Sequence, residues 1–162
     1  MNPIKSREMS SIKKIPAVLN VLLLIQFTVS AMGIYGGTDL LLNSEDKIRN
    51  SAEVLARTPF HSFFIPGLIL AILLGIIPMI LIVPLITKHS WKFASSFNIF
   101  KNRHWAWTFS LFCGLAVIIW SDVQFYMIGY SHKIQIVFAM LGLLMVIFAV
   151  WPSVMNYYRL RD

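Results

Sequence analysis

Four histidines, one cysteine and seven carboxylates are the side chains in this chain of 162 residues that could do acid–base, nucleophilic or metal chemistry. The histidines, His61, His89, His104 and His132, are scattered, and no HxxxH or ExxH pair sets two ligands on one helix face. No metal site is expected. Cys113 has no partner, which excludes an intrachain disulfide, a CxxC redox pair and a cysteine-rich metal cluster. There is no phosphate-binding glycine loop, no GxSxG elbow and no paired intramembrane carboxylate. The residues therefore name no catalytic set and no cofactor.

Asp122 is the sharpest remaining candidate, because it sits near the outer end of an apolar run. An ionisable group within a membrane span is costly and normally faces the bundle interior or water, with a partner. Gln124 is close in sequence, Gln135 lies at a matching depth in the next run, and His61 precedes the second run on the same side. One expectation is an outward-facing polar site of Asp122, Gln124, His61 and Gln135. The other places Asp122 at the interface as a turn-side charge paired with Lys133. In the first apolar run, Asn20 and Gln26 do not share a face, and each is expected to make an interhelical hydrogen bond.

The elements that would position these residues are membrane spans. The chain is 57% hydrophobic and only 13% charged, where a soluble domain carries about a quarter charged residues. Four apolar runs are expected to span, over about 15–35, 63–87, 105–128 and 134–156. The first also reads as a secretory signal, with Val29-Ser30-Ala31 as a small-residue cleavage site. Gly36-Gly37 is expected to end it. Residues 38–58 then predict a short amphipathic helix lying at the interface, with Ser44 as N-cap, Glu45 and Asp46 in its first turn, and Ile48, Ala52 and Leu55 on one face.

The second run, from Pro59 to Thr87, holds no charge. Gly67, Ala71 and Gly75 recur every four residues and predict a face for close helix packing, through which the chain would self-associate. Pro78 and Pro84 predict bending of the last turns. Trp105 and Trp107 predict an interfacial belt at the start of the third span.

Orientation follows from charge. The N-terminal flank (1–14), the loop Lys88–His104 and the C-terminal tail (159–162) hold ten of the fourteen Lys and Arg, and the opposite side holds five of the seven acids. Basic residues stay in the cytoplasm, so both termini are placed there. The net charge of +7 is read as topology and contact with anionic lipid, with no nucleic-acid partner.

Gly36-Gly37 followed by Leu40, the segments Thr58-Pro59-Phe60 and Phe64-Ile65-Pro66-Gly67-Leu68-Ile69-Leu70, and a tryptophan-led third span together resemble a group of small uncharacterised bacterial membrane proteins with four spans. The DPSG-like turn of that group is replaced here by Asn43-Ser44-Glu45-Asp46. The resemblance implies a four-span layout in the bacterial inner membrane and no activity.

The resulting expectation is an all-α, integral membrane four-helix bundle of the cell membrane. Its leading function is that of a non-enzymatic accessory or self-associating component, with the bilayer, a second copy or another membrane protein as partners. The alternative is a small transporter or channel working at Asp122.

Overall fold

The computed structural model describes residues 15–43, 45, 52–129 and 133–160, and among them the chain is all-α. Pro16, extended at φ −63° and ψ 139°, leads into α1 (Ala17–Leu42, 26 residues). At 1.5 Å per residue this rod is about 39 Å long, more than the roughly 30 Å of a bilayer core. The break expected at Gly36-Gly37 does not occur, and the helix runs through both glycines to Leu42. A Cβ on Gly37 would lie 2.5 Å from the Ala71 backbone nitrogen, and one on Gly33 would lie 2.7 Å from the Leu74 carbonyl oxygen. These glycines serve the close approach of a second helix, and away from water the backbone keeps its helical bonds.

Of residues 38–58, where a short helix was expected, 38–42 belong to α1 and Ala52–Ala56 form α2, with Leu55 buried. Ser44, Asp46 and Ile48 of that expectation lie outside the described residues, as do the flank 1–14 and the last two residues of the tail.

The second apolar run forms α3 (Phe64–Ala71), a π-helical turn (Ile72–Ile76) and α4 (Ile77–Thr87). The Ile77 amide donates to the Ile72 carbonyl across the widened turn. Pro78 has no N–H to return to Leu74, and in a tight α-turn its ring would collide with the Leu74 carbonyl. The π turn moves that carbonyl aside, and it faces Gly33 of α1. Pro84 is held inside α4.

His104 opens α6 (Trp105–Ile128, 24 residues). The fourth expected span is not one helix over 134–156. It is α7 (Lys133–Ala149, 17 residues), an extended Trp151 (φ −61°, ψ 135°), and then α8 (Pro152–Tyr157). Proline excludes the α conformation from the residue before it and supplies no amide, so Trp151-Pro152 ends α7.

Ala17–Leu42, Phe64–Thr87 and Trp105–Met127 are long and apolar enough to cross a membrane, while Lys133–Ala149 is apolar but shorter, about 26 Å. α1 packs along α3 and α4, α6 packs along α7, and contacts of α1 with α7 and of α4 with α6 close the bundle. Leu22, Val29, Leu74, Val117 and Met145 lie in its core. Leu24, Ile80, Ile119 and Ile136 face outward and exposed, a surface suited to a multi-pass membrane protein.

Candidate functional site at the basic end of the bundle

The residues expected to form a polar site are spread over α6, α7 and the segment before α3. Burial along α6 follows Val117 and Ser121, and the Ser121 hydroxyl donates back to the Val117 carbonyl at 2.9 Å. Asp122, about 100° further round the helix, is exposed with Val123 and Tyr126. His61 is exposed, Gln124 is half-buried, and Gln135 is buried and partnered. Lys133, the alternative partner for Asp122, is exposed. Ser131 and His132 lie outside the described residues.

Gly67, Ala71 and Gly75 face α1 of the same chain. A Cβ on Gly67 would lie 2.9 Å from Leu40 Cβ, and one on Gly75 2.8 Å from the Ile34 backbone nitrogen. The stripe is filled from within, so it offers no face to a second copy. Its counterparts, Gly33 and Gly37, carry the same four-residue spacing in the first run. That spacing was the available signal, and it is masked by reading Gly36-Gly37 as a helix breaker.

Interior polar groups of three helices meet at Gln26. Gln26 is completely buried. Its Nε2 donates to the Pro78 carbonyl at 2.8 Å, and its Oε1 accepts the Ser110 hydroxyl at 2.6 Å. One side chain thus ties α1 to α4 and α6. Ser30, also buried, donates to the Gln26 carbonyl at 2.8 Å. Asn20, expected to bond between helices, is exposed on the outer face instead.

At the opposite end from Asp122, the loop between α4 and α6 folds against the C-terminal segment. Lys88 caps α4 in the left-handed conformation (φ 53°), with its amide donating to the Pro84 carbonyl at 2.9 Å. That conformation costs a non-glycine residue about 1 kcal/mol. Two contacts offset it: the Lys88 ammonium lies 3.3 Å from the centre of the Tyr157 ring and donates to the Tyr157 carbonyl at 3.2 Å. The Tyr158 hydroxyl donates to the Leu85 carbonyl, one of the last carbonyls of α4. Burial holds the Tyr158 phenol protonated, well above its ordinary range.

Trp105 and Trp107 do not form an interfacial belt, because both are buried. The Trp105 indole donates to the His89 carbonyl at 3.0 Å. That of Trp107 donates at 2.8 Å to the carbonyl of Ala149, the last residue of α7. Arg103 donates from Nη1 to the Met155 carbonyl and lies 4.8 Å from the centre of the Trp107 ring. Backbone pairing between Arg103 and Arg159 seals the seam, with His104 N–H on the Tyr158 carbonyl at 2.9 Å and Leu160 N–H on the Asn102 carbonyl at 3.0 Å. Buried Asn98 donates to the Phe100 and Arg103 carbonyls and accepts the Thr108 hydroxyl at 2.6 Å. Within this ordered loop, α5 (Lys92–Ser96) presents Phe93 outward, and Trp91 and Phe97 flank it, all more than half exposed.

A cavity of about 300 Å³ lies beside α5, lined by Ser90, Ser95, Lys101, Arg103 and His104 among others, with no acidic residue. His104 Nδ1 accepts the Ala106 amide at 3.3 Å, which leaves the proton of the neutral ring on Nε2. Burial pushes the imidazole below its usual 6.5, the Lys88 charge acts in the same direction, and the Lys88 and His89 carbonyls oppose it. The arrangement is rich in donors and positive charge and can hold an anion. Among the described residues no group of three or more His, Cys, Asp or Glu could hold a metal ion. No protein-family model, no curated protein and no solved structure matches this chain.

Proposed function

We propose that this chain is a four-span protein of the bacterial inner membrane, with both termini in the cytoplasm. In this reading it is a non-enzymatic accessory component seated on the anionic inner leaflet by its basic, aromatic end. The observation that carries the reading is Gln26. Both ends of its buried side chain are engaged by neighbouring helices, at the depth where a transport path would need a polar group available. The working surface is then the end that holds Lys88, Lys92, Lys101 and Arg103 with exposed Trp91, Phe93 and Phe97. Basic residues are drawn to anionic headgroups, and the amphipathic Trp ring settles at headgroup level.

The fourth crossing in this reading is α7, extended by Val150 and Trp151, with Lys133 reaching to the headgroups from its outer end. A second copy or another membrane protein would dock on the exposed aliphatic faces, since the Gly67/Ala71/Gly75 stripe is filled by α1. The alternative of a transporter or channel at Asp122 needs that carboxylate in an enclosed path, and it is exposed.

Orientation is the testable core of the proposal. In a Cys113→Ala background, Glu53→Cys and Ser96→Cys place single thiols on opposite sides. A membrane-impermeant maleimide should label Glu53→Cys in intact spheroplasts and Ser96→Cys only after permeabilisation. The reverse pattern, or labelling of both in intact spheroplasts, overturns the topology.

A further inference from the structure

The cavity beside α5 combines donors, positive charge and position in a way that the helix-packing account does not use. We propose that it is a binding site for the phosphate group of an anionic phospholipid. Lys101 and Arg103 supply two positive charges to its wall, and Ser90 and Ser95 supply two hydroxyls. Arg103 gives one N–H to the Met155 carbonyl, out of the five that a guanidinium carries. Lys101 gives two bonds, to the Ser95 and Ser96 carbonyls at 3.4 and 3.1 Å, out of three. His104 is 9% exposed and lines the same wall, with its Nε2 a buried atom. Asn98 also lines the cavity, but its amide is already engaged with the loop and Thr108, so it shapes the site and leaves the binding to its neighbours.

Position selects the source of the phosphate. Trp91, Phe93 and Phe97 project outward around the same short helix, at 52%, 65% and 63% exposure. The amphipathic indole of Trp91 settles at headgroup depth, which brings the cavity level with lipid phosphates. The inference rests on the reading that this end meets the inner leaflet. It is nonetheless tested on purified protein in detergent, where no leaflet exists, so failure to bind and failure of the topology are separate results.

The probes are dihexanoyl-phosphatidylglycerol, dihexanoyl-phosphatidylcholine and inorganic phosphate, titrated against the full chain. Phosphatidylglycerol should bind more tightly than phosphatidylcholine. Lys101→Gln should weaken its binding about fivefold, the equivalent of about 1 kcal/mol per basic residue near anionic lipid. Because Lys101 also holds the end of α5, Ser90→Glu provides the second test: it adds repulsion at the wall and removes no hydrogen bond seen in the structure, and it should weaken binding at least as much with an unchanged unfolding midpoint. Equal binding of the two lipids, or undiminished binding by Ser90→Glu, overturns the site. Displacement of the lipid by inorganic phosphate at equal concentration overturns the lipid source and assigns the cavity to free phosphate.

Discussion

Two adjacent glycines should respond to the same substitution with opposite signs. Gly36 and Gly37 both lie inside α1. Replacing a helix-interior glycine with alanine normally stabilises by roughly 0.5–1 kcal/mol, because it removes backbone freedom from the unfolded chain. At Gly36 the only neighbour of an added Cβ is the flexible Leu70 Cδ2, at 3.2 Å, so most of that gain should survive. At Gly37 the added Cβ would lie 2.5 Å from the Ala71 nitrogen, 2.6 Å from its Cβ and 2.7 Å from its Cα. Normal carbon contacts need about 3.5–4.0 Å, so the helices must part by about 1 Å, across the stripe that holds them. Overpacking of this kind costs about 1–3 kcal/mol. Gly36→Ala should therefore be neutral or up to about 1 kcal/mol more stable, and Gly37→Ala about 1–2 kcal/mol less stable after the propensity gain is deducted. The assay is reversible unfolding in mixed detergent micelles, followed by helical circular dichroism. Equal shifts for the two variants would refute the close crossing and restore the reading of the pair as a helix break.

Gln26→Leu removes both interhelical bonds and leaves the Ser110 hydroxyl without its partner. It should lower stability in the same assay by about 1–2 kcal/mol, at roughly 0.6 kcal/mol or more per intramembrane bond, and Gln26→Glu should also destabilise because it buries an ionisable group. His104 predicts a pH dependence. Its folded form titrates below the ordinary 6.5, so under pH 6.5 the unfolded chain binds more protons, and stability present above that pH falls as the pH is lowered through the window. His104→Asn keeps an N-cap acceptor without the titration, and the difference in unfolding midpoint between pH 7.5 and pH 5 should shrink in this variant.

Three apolar runs were legible as helices long enough to cross a membrane, and the fourth is shorter because Trp151-Pro152 ends it. The stripe of Gly67, Ala71 and Gly75 was legible by its period. Its partner was not: glycine breaks helices in water, and only the second helix turns Gly33 and Gly37 into a contact. Trp105 and Trp107 look like belt residues by type and place, but each indole reaches a backbone carbonyl that a loop or a proline leaves without an amide, and that pulls both inside. Asp122 stood out as a charge in an apolar run. One helical step of about 100° separates it from Ser121, and the rotation of α6 against its neighbours decides which of the two turns inward. The cavity beside α5 was out of reach, since Ser90 and Leu160 are brought together only by the pairing of Arg103 with Arg159.

We propose that the bundle interior is closed by its own side chains and that function belongs to the basic end. Ser110 is the residue on which to measure it, because it is fully buried and bonded to Gln26. In a Cys113→Ala background, Ser110→Cys is a conservative probe of that interior, with exposed Ser96→Cys as the control. Reconstituted in vesicles and treated from both sides with a small water-soluble thiosulfonate, Ser96→Cys should be modified and Ser110→Cys should not. Rapid modification of Ser110→Cys from either side would reveal a watered path through the bundle and contradict the account.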